Sequence, residues 1–189
     1  MSSIYINFPD VFDLNLKRKI ESAILKETDL RYNQLDEKVL QSVYIKSPDN
    51  NLLSSNFLKS LISRLNNYFF FDNKLEITLE LDIKSIKIKN LQEISKTKVN
   101  RLSCRTYSLF YNNFSYEKLD NLFFENINLI SKFFKNYSID LIFGVPIFSN
   151  ETLDKFLNKI NKNGISHITL EEFNYRLNNT SYIEKSFNK

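Results

Sequence analysis

Ser138-Ile139-Asp140-Leu141-Ile142-Phe143-Gly144-Val145-Pro146 is a short, mostly apolar run closed by a glycine and a proline. A run too short for a helix, ended by residues that stop regular structure, predicts a buried strand emptying into a loop. Upstream, Leu119, Leu122, Phe123, Ile127, Ile130, Phe133 and Phe134 form one stripe within residues 116–135. That stripe predicts a long helix with an apolar face, and its aromatic rings read as core. Downstream, Leu153, Phe156, Leu157 and Ile160 mark another helix, which stops at Gly164, a candidate left-handed cap. A strand over 167–173 follows it.

The same alternation reaches back to the N-terminus. Ile4-Tyr5-Ile6-Asn7-Phe8-Pro9 reads as a short buried strand running into a loop. Leu16, Ile20, Ala23 and Ile24 would share one face of a first helix. A strand is predicted within 38–45. Phe57, Leu58, Leu61, Ile62 and Leu65 then recur at helical spacing, with Ser54, Ser55 or Asn56 available as an N-cap. A strand over 76–81, a short helix over 89–97 with Leu91 and Ile94 inward, and a strand over 101–107 complete the series. Strands alternating with helices predict an α/β chain with a parallel sheet and right-handed crossovers. Flat, this gives a doubly wound sheet; curled, an open partial barrel.

Composition sets the outer limits. At 189 residues, 42% hydrophobic and 25% charged, the chain fits one globular domain with a real core. Ala23 is the only alanine, tryptophan is absent and lysine far outnumbers arginine, a bias that an A+T-rich genome would impose through its codons. The net charge of +4 is dispersed among acids, as in Lys17-Arg18-Lys19 before Glu21. That pattern reads as solvated helix faces, so no nucleic-acid partner is expected. No apolar run approaches the ~20 residues of a membrane span, and no secretion signal opens the chain. One cysteine cannot form an internal disulfide. A cytoplasmic address is the expectation. Glycine-rich phosphate loops, Gly-x-Ser-x-Gly elbows and His-Glu-x-x-His pairs are missing. Glu171 and Glu172 would face opposite ways on a strand, which makes them a poor acid–base pair.

The strand ends carry a resemblance. Tyr5 to Pro9, Tyr44-Ile45 with Leu52-Leu53-Ser54, Glu76 to Glu80, Asn100-Arg101-Leu102-Ser103, Asp140 to Pro146 and His167 to Leu170 follow one another in a familiar order and spacing. Over about residues 3 to 180 the chain resembles the radical S-adenosylmethionine family of oxygen-independent coproporphyrinogen III oxidase and the heme chaperone. The resemblance implies an open partial (β/α)6 TIM-like barrel with helices outside, and active residues at the C-terminal strand ends. It also implies that 1–189 is a single, degenerate core-like domain without the family's C-terminal domain.

The family's chemistry needs a [4Fe–4S] cluster that binds S-adenosylmethionine. Three thiolates hold the cluster, in a Cys-x3-Cys-x2-Cys loop after the first strand, because soft donors hold these irons. Aligning on Tyr5 and Pro9 puts the three positions at Val11, Asn15 and Arg18. None is a thiolate: valine has no donor and arginine is a permanent cation. The glycine-rich cosubstrate loop is replaced by Lys46-Ser47-Pro48-Asp49-Asn50-Asn51, in which Lys46 and Asp49 offer only a different polar surface.

Elsewhere the matches are partial. Glu80 aligns with a glutamate that takes part in cosubstrate binding; its plain reading is an acid at a strand end, satisfied by a nearby lysine. Asp82-Ile83 replaces the usual Asn-Pro. In the fourth strand Arg105 stands for a glycine and Tyr107 for the ribose-binding glutamine, while Cys104 takes an aliphatic position and should be a buried thiol. Asp140 and the Gly144-Val145-Pro146 turn match. Phe148 replaces a glutamine, Glu171 a tyrosine, and Thr180 matches a late threonine.

The resemblance therefore implies a pseudoenzyme related to heme and porphyrin metabolism. It implies no catalytic or metal-binding residues and no resident cofactor, with Tyr5, Glu80 and Asp140 as vestigial cosubstrate-site positions. The alternatives are a heme or porphyrin carrier, a scaffold whose protein partner covers the open barrel edge, and an eroding gene product. A heme carrier would need an axial ligand such as His167, Cys104 or a tyrosine.

Overall fold

The computed structural model describes residues 2–9, 13–46, 53–106, 116–143 and 150–172. Within them strands β1 (Ser2–Asn7), β2 (Val39–Lys46), β3 (Phe70–Asp82), β4 (Arg101–Arg105), β5 (Tyr137–Phe143) and β6 (Ile168–Glu172) form one sheet in sequence order. Every neighbouring pair is parallel. The sheet curls into a half-barrel, the one of the two arrangements that the resemblance implies. Helices α1 (Leu14–Arg31), α2 (Ser55–Tyr68), α3 (Ile88–Ile94), α4 (Tyr116–Phe133) and α5 (Asn150–Lys162) make the crossovers.

The outward face of the sheet is the core. Val43, Ile45, Ile77, Leu79, Leu81, Leu102, Cys104, Ile139 and Leu141 alternate with polar neighbours and are buried against the helices. Period two in the strands meets period 3.6 in the helices, so both apolar sets face one layer. From α2 the layer takes Phe57, Leu58, Leu61, Ile62 and Leu65. From α4 it takes Phe123, Ile127 and Ile130, and from α5 Phe156 and Ile160. The Phe123 ring lies 4.7 Å from that of Phe156. Fully burying a side chain of this size stabilises by roughly 1.5–3 kcal/mol.

Local signals place the ends. Ser54, of the three candidates, caps α2 by accepting from the Phe57 amide at 3.1 Å. Asp13 caps α1 through the amides of Asn15 and Leu16, at 2.7 and 3.4 Å. Gly164, after α5, has φ +70°, the left-handed cap expected of it.

Two expectations change. Leu16, 48% exposed, and Ala23, also exposed, lie outside the packed face of α1, which uses Ile20, Ile24 and Leu25. Among the described residues the helix flanks β1, which ends the sheet, and its buried stripe is narrow. Strand β3 is also longer than 76–81, beginning at Phe70, opposite Val39. The polar stretch Asp72-Asn73-Lys74 hides this early start, because the register jumps there: Leu40 pairs with Phe71 but Ser42 with Glu76. Asn100 clamps the irregular stretch, donating to the Leu75 carbonyl at 2.7 Å and accepting from the Ile77 amide at 2.8 Å.

These placements separate two substitutions. Phe123→Ala should destabilise the chain by about 3–5 kcal/mol, whereas Leu16→Ala should stay within about 0.5 kcal/mol. Urea denaturation of the three proteins measures both, and a large loss at Leu16 would contradict the packing of α1.

Candidate functional site

Side chains on the other strand face line the inside of the half-barrel, and the register sets them in rungs. Tyr5, Tyr44, Thr78 and Arg101 form one rung across β1 to β4. Glu80, Ser103 and Ser138 form the next, closer to the C-terminal ends. Asp82, Arg105, Asp140 and Thr169 form the rung above it. This inner face is polar where the outer is apolar, and the highest rungs hold three buried carboxylates: Glu80 at 4% exposure, Asp82 and Asp140.

Glu80 is enclosed by its own neighbours. The Tyr44 hydroxyl donates to Oε2 at 2.9 Å. Arg105 Nε lies 2.8 Å from Oε1 in an ion pair, and Lys46 Nζ lies 3.7 Å from the same oxygen. The lysine expected beside Glu80 is present, but the arginine is closer. Burial pushes the Glu80 carboxyl above its usual value; Arg105, the Tyr44 hydrogen bond and Lys46 pull it back, while Asp140 adds to the rise. Burial likewise drives the Tyr44 phenol up. Asp140 is held by a relay of hydroxyls. Arg101 Nη2 donates to Ser138 Oγ at 3.0 Å, Ser138 Oγ to Ser103 Oγ at 3.3 Å, and Ser103 Oγ to Asp140 Oδ2 at 2.7 Å. Asp82 accepts from the Lys84 amide at 2.9 Å and so caps a 3-10 turn.

The remaining expected positions are dispersed. Tyr5 stands on the inner face, 62% exposed and stacked on Tyr44 at 5.6 Å. Asn15 and Arg18 fall in the first turns of α1, exposed and three residues apart on a helix. Val11, Asp49, Tyr107, the Gly144-Val145-Pro146 turn, Phe148 and Thr180 lie outside the described residues. Cys104 points to the helix layer, fully buried, and burial raises its thiol well above the usual range. His167 precedes β6, and its carbonyl accepts from the Ile139 amide. That puts it at the N-terminal end of the strands, opposite Glu80 and Asp140.

A cluster does not fit the residues present. Asn15 and Arg18 carry no thiolate, and the single cysteine is sealed on the wrong face of β4. Among the described residues no group of three or more His, Cys, Asp or Glu side chains is placed to hold a metal ion. Sequence reasoning did not pick out Tyr44, Ser103, Ser138 or Asp82 as members of the site. For Ser103, Ser138 and Asp82 the signal was available: polar residues at every second position of β3, β4 and β5 mark one shared face.

Glu80 makes stability depend on pH. Its folded-state carboxyl lies above the ordinary 4.5, so just above that pH the folded chain keeps a proton that the unfolded chain has released. The stability tied to this proton is full below the unfolded value and falls as pH rises through the folded one. Glu80→Gln should therefore flatten the fall of stability as pH rises above the ordinary 4.5. Urea midpoints measured at several pH values check this, and an unaltered slope contradicts it.

No protein-family model matches the chain. The heme chaperone HemW of Buchnera aphidicola subsp. Schizaphis graminum is 22% identical over 167 residues, which is 86% of this chain and 44% of that protein. The structure of coproporphyrinogen III oxidase (HemN) from Escherichia coli, a radical SAM enzyme, superposes with a TM-score of 0.76 at 18% identity. That match covers 97% of this chain and 46% of the oxidase. The chain thus spans a little under half the length of either relative. Similar in sequence to the one and in fold to the other, the chain is HemN/HemW-like.

Proposed function

We propose that this chain is a cytoplasmic HemN/HemW-like pseudoenzyme, related to proteins of heme and porphyrin metabolism but without radical chemistry. One observation carries the reading: Glu80, aligned with a cosubstrate-binding glutamate, already has its carboxylate taken up by Tyr44, Arg105 and Lys46. The cysteine positions support it, since Val11, Asn15 and Arg18 offer no thiolate. Bound S-adenosylmethionine would need a cluster to deliver the electron that breaks its sulfonium bond, and a protein supplies only binding and orientation. Tyr5, Glu80 and Asp140 then serve the fold of the inner face rather than a cofactor.

A second reading, a non-catalytic binding or scaffold protein, has its own support. Strands β1 and β6 end the sheet. Beside β1 a groove of about 450 Å³ is lined by Ile4, Ile6, Ile24 and Leu35, with Glu27 and Arg31 among its polar residues. Heme is less well served. Cys104 is inaccessible and His167 lies at the far end of the strands, which leaves a tyrosine such as Tyr5 as the axial candidate on the inner face. No helix among the described residues is long and apolar enough to cross a membrane.

Anaerobic incubation with iron and sulfide should leave the purified protein colourless, and calorimetric titration with S-adenosylmethionine should show no saturable heat. A stable brown chromophore with bound iron and sulfide would overturn the pseudoenzyme reading. Heme titration separates the carrier from the scaffold, because only a carrier shifts the Soret band stoichiometrically.

A further inference from the structure

Arg105 belongs to the acidic stretch of the inner face. On β3 and β5 its register partners are Asp82 and Asp140, and from that rung its Nε reaches Glu80 Oε1 one rung below, at 2.8 Å. Its side chain is only 17% exposed, and that of Glu80 5%. One cation that the chain itself supplies is thus paired with the Glu80 carboxylate and stands in register between two further acids, while Lys46 approaches Glu80 from a more exposed position. A buried carboxylate group of this kind demands a positive partner, because an unpaired charge away from water is strongly disfavoured.

We infer that Arg105 is a built-in plug: its guanidinium occupies the place at the Glu80 carboxylate where a small organic cation would otherwise bind, and so closes the half-barrel to such ligands. The inference deepens the proposed function, which it needs only for the idea that Glu80 stands at a former ligand position. In the family that the chain resembles, a glycine stands at position 105, and glycine leaves this space open. Here a long side chain fills the space and carries the matching charge. Lys46 pairs with the same oxygen more distantly, at 3.7 Å, and from a more exposed position. The plug predicts that a cavity of guanidinium shape and positive preference appears when Arg105 is shortened.

Methylguanidinium is the probe, titrated into the full chain at millimolar concentration and read by thermal unfolding and calorimetry. The wild type should not respond. Arg105→Ala should bind the probe saturably and recover part of its lost melting temperature, as a ligand of the folded state must produce. The double variant Arg105→Ala with Glu80→Gln should lose that response. A wild type that responds as strongly as Arg105→Ala, or a folded Arg105→Ala that does not respond, overturns the inference. Should Arg105→Ala not fold, the intact chain is read by nitrogen-15 NMR. Rotation of the Arg105 guanidinium about Nε–Cζ should be slow, and at least roughly tenfold faster in Glu80→Gln, because a buried charge pair restrains it; equal rates in the two proteins overturn the plug. A chain that assembles a cluster yet shows the methylguanidinium pattern fails the pseudoenzyme reading and keeps this one.

Discussion

A carboxylate with 4% of its surface exposed must receive its charge partner and its hydrogen-bond donor from the strands on either side. For Glu80 the partners are Tyr44 and Lys46 from β2 and Arg105 from β4. They reach it because, beyond the jump before Ser42, the parallel strands keep one register that puts every second residue on one face, one rung apart. If β4 slipped by one residue, Arg105 would turn into the helix layer and Cys104 would face Glu80. The inner face and the outer core therefore share one constraint, the register of β2, β3 and β4.

That constraint also explains how a frame can persist while its mouth changes. The core depends on outward residues such as Leu79, Leu102 and Ile139, none of which touches the inner face. Exchanges on the other face leave the packing alone provided buried charge stays paired. Arg105 meets this condition, as does the hydroxyl relay from Arg101 through Ser138 and Ser103 to Asp140. Asn100 works for the fold as well, tying the irregular start of β3 to the strand that follows.

Much of the architecture was legible because periodicity is a local signal. The α2 stripe from Phe57 to Leu65 and the Gly164 cap stand where the spacing put them. Misses came where a neighbour decides. Leu16 and Ala23 share the helical spacing of Ile20 and Ile24, yet α1 flanks an edge strand and covers only part of that stripe. Phe70 and Phe71 join β3 through pairing with Val39 and Leu40, across polar residues that look like a loop. Of the site, Glu80 and Asp140 could be named because the resemblance aligns them with family residues. Nothing in their surroundings along the chain announced Tyr44, which is 36 residues from Glu80.

By itself the sequence determined the alternation of strands and helices, the poverty in thiolates and the alignment of Glu80 with a ligand position, because each is a matter of residue type and spacing. Only the tertiary structure decided that Arg105 meets Glu80, that Cys104 faces the helices and that His167 lies at the opposite end of the strands. Those facts depend on which rung and which face each residue occupies once six separate segments are set side by side, and the order of residues along a chain does not specify distance across a sheet.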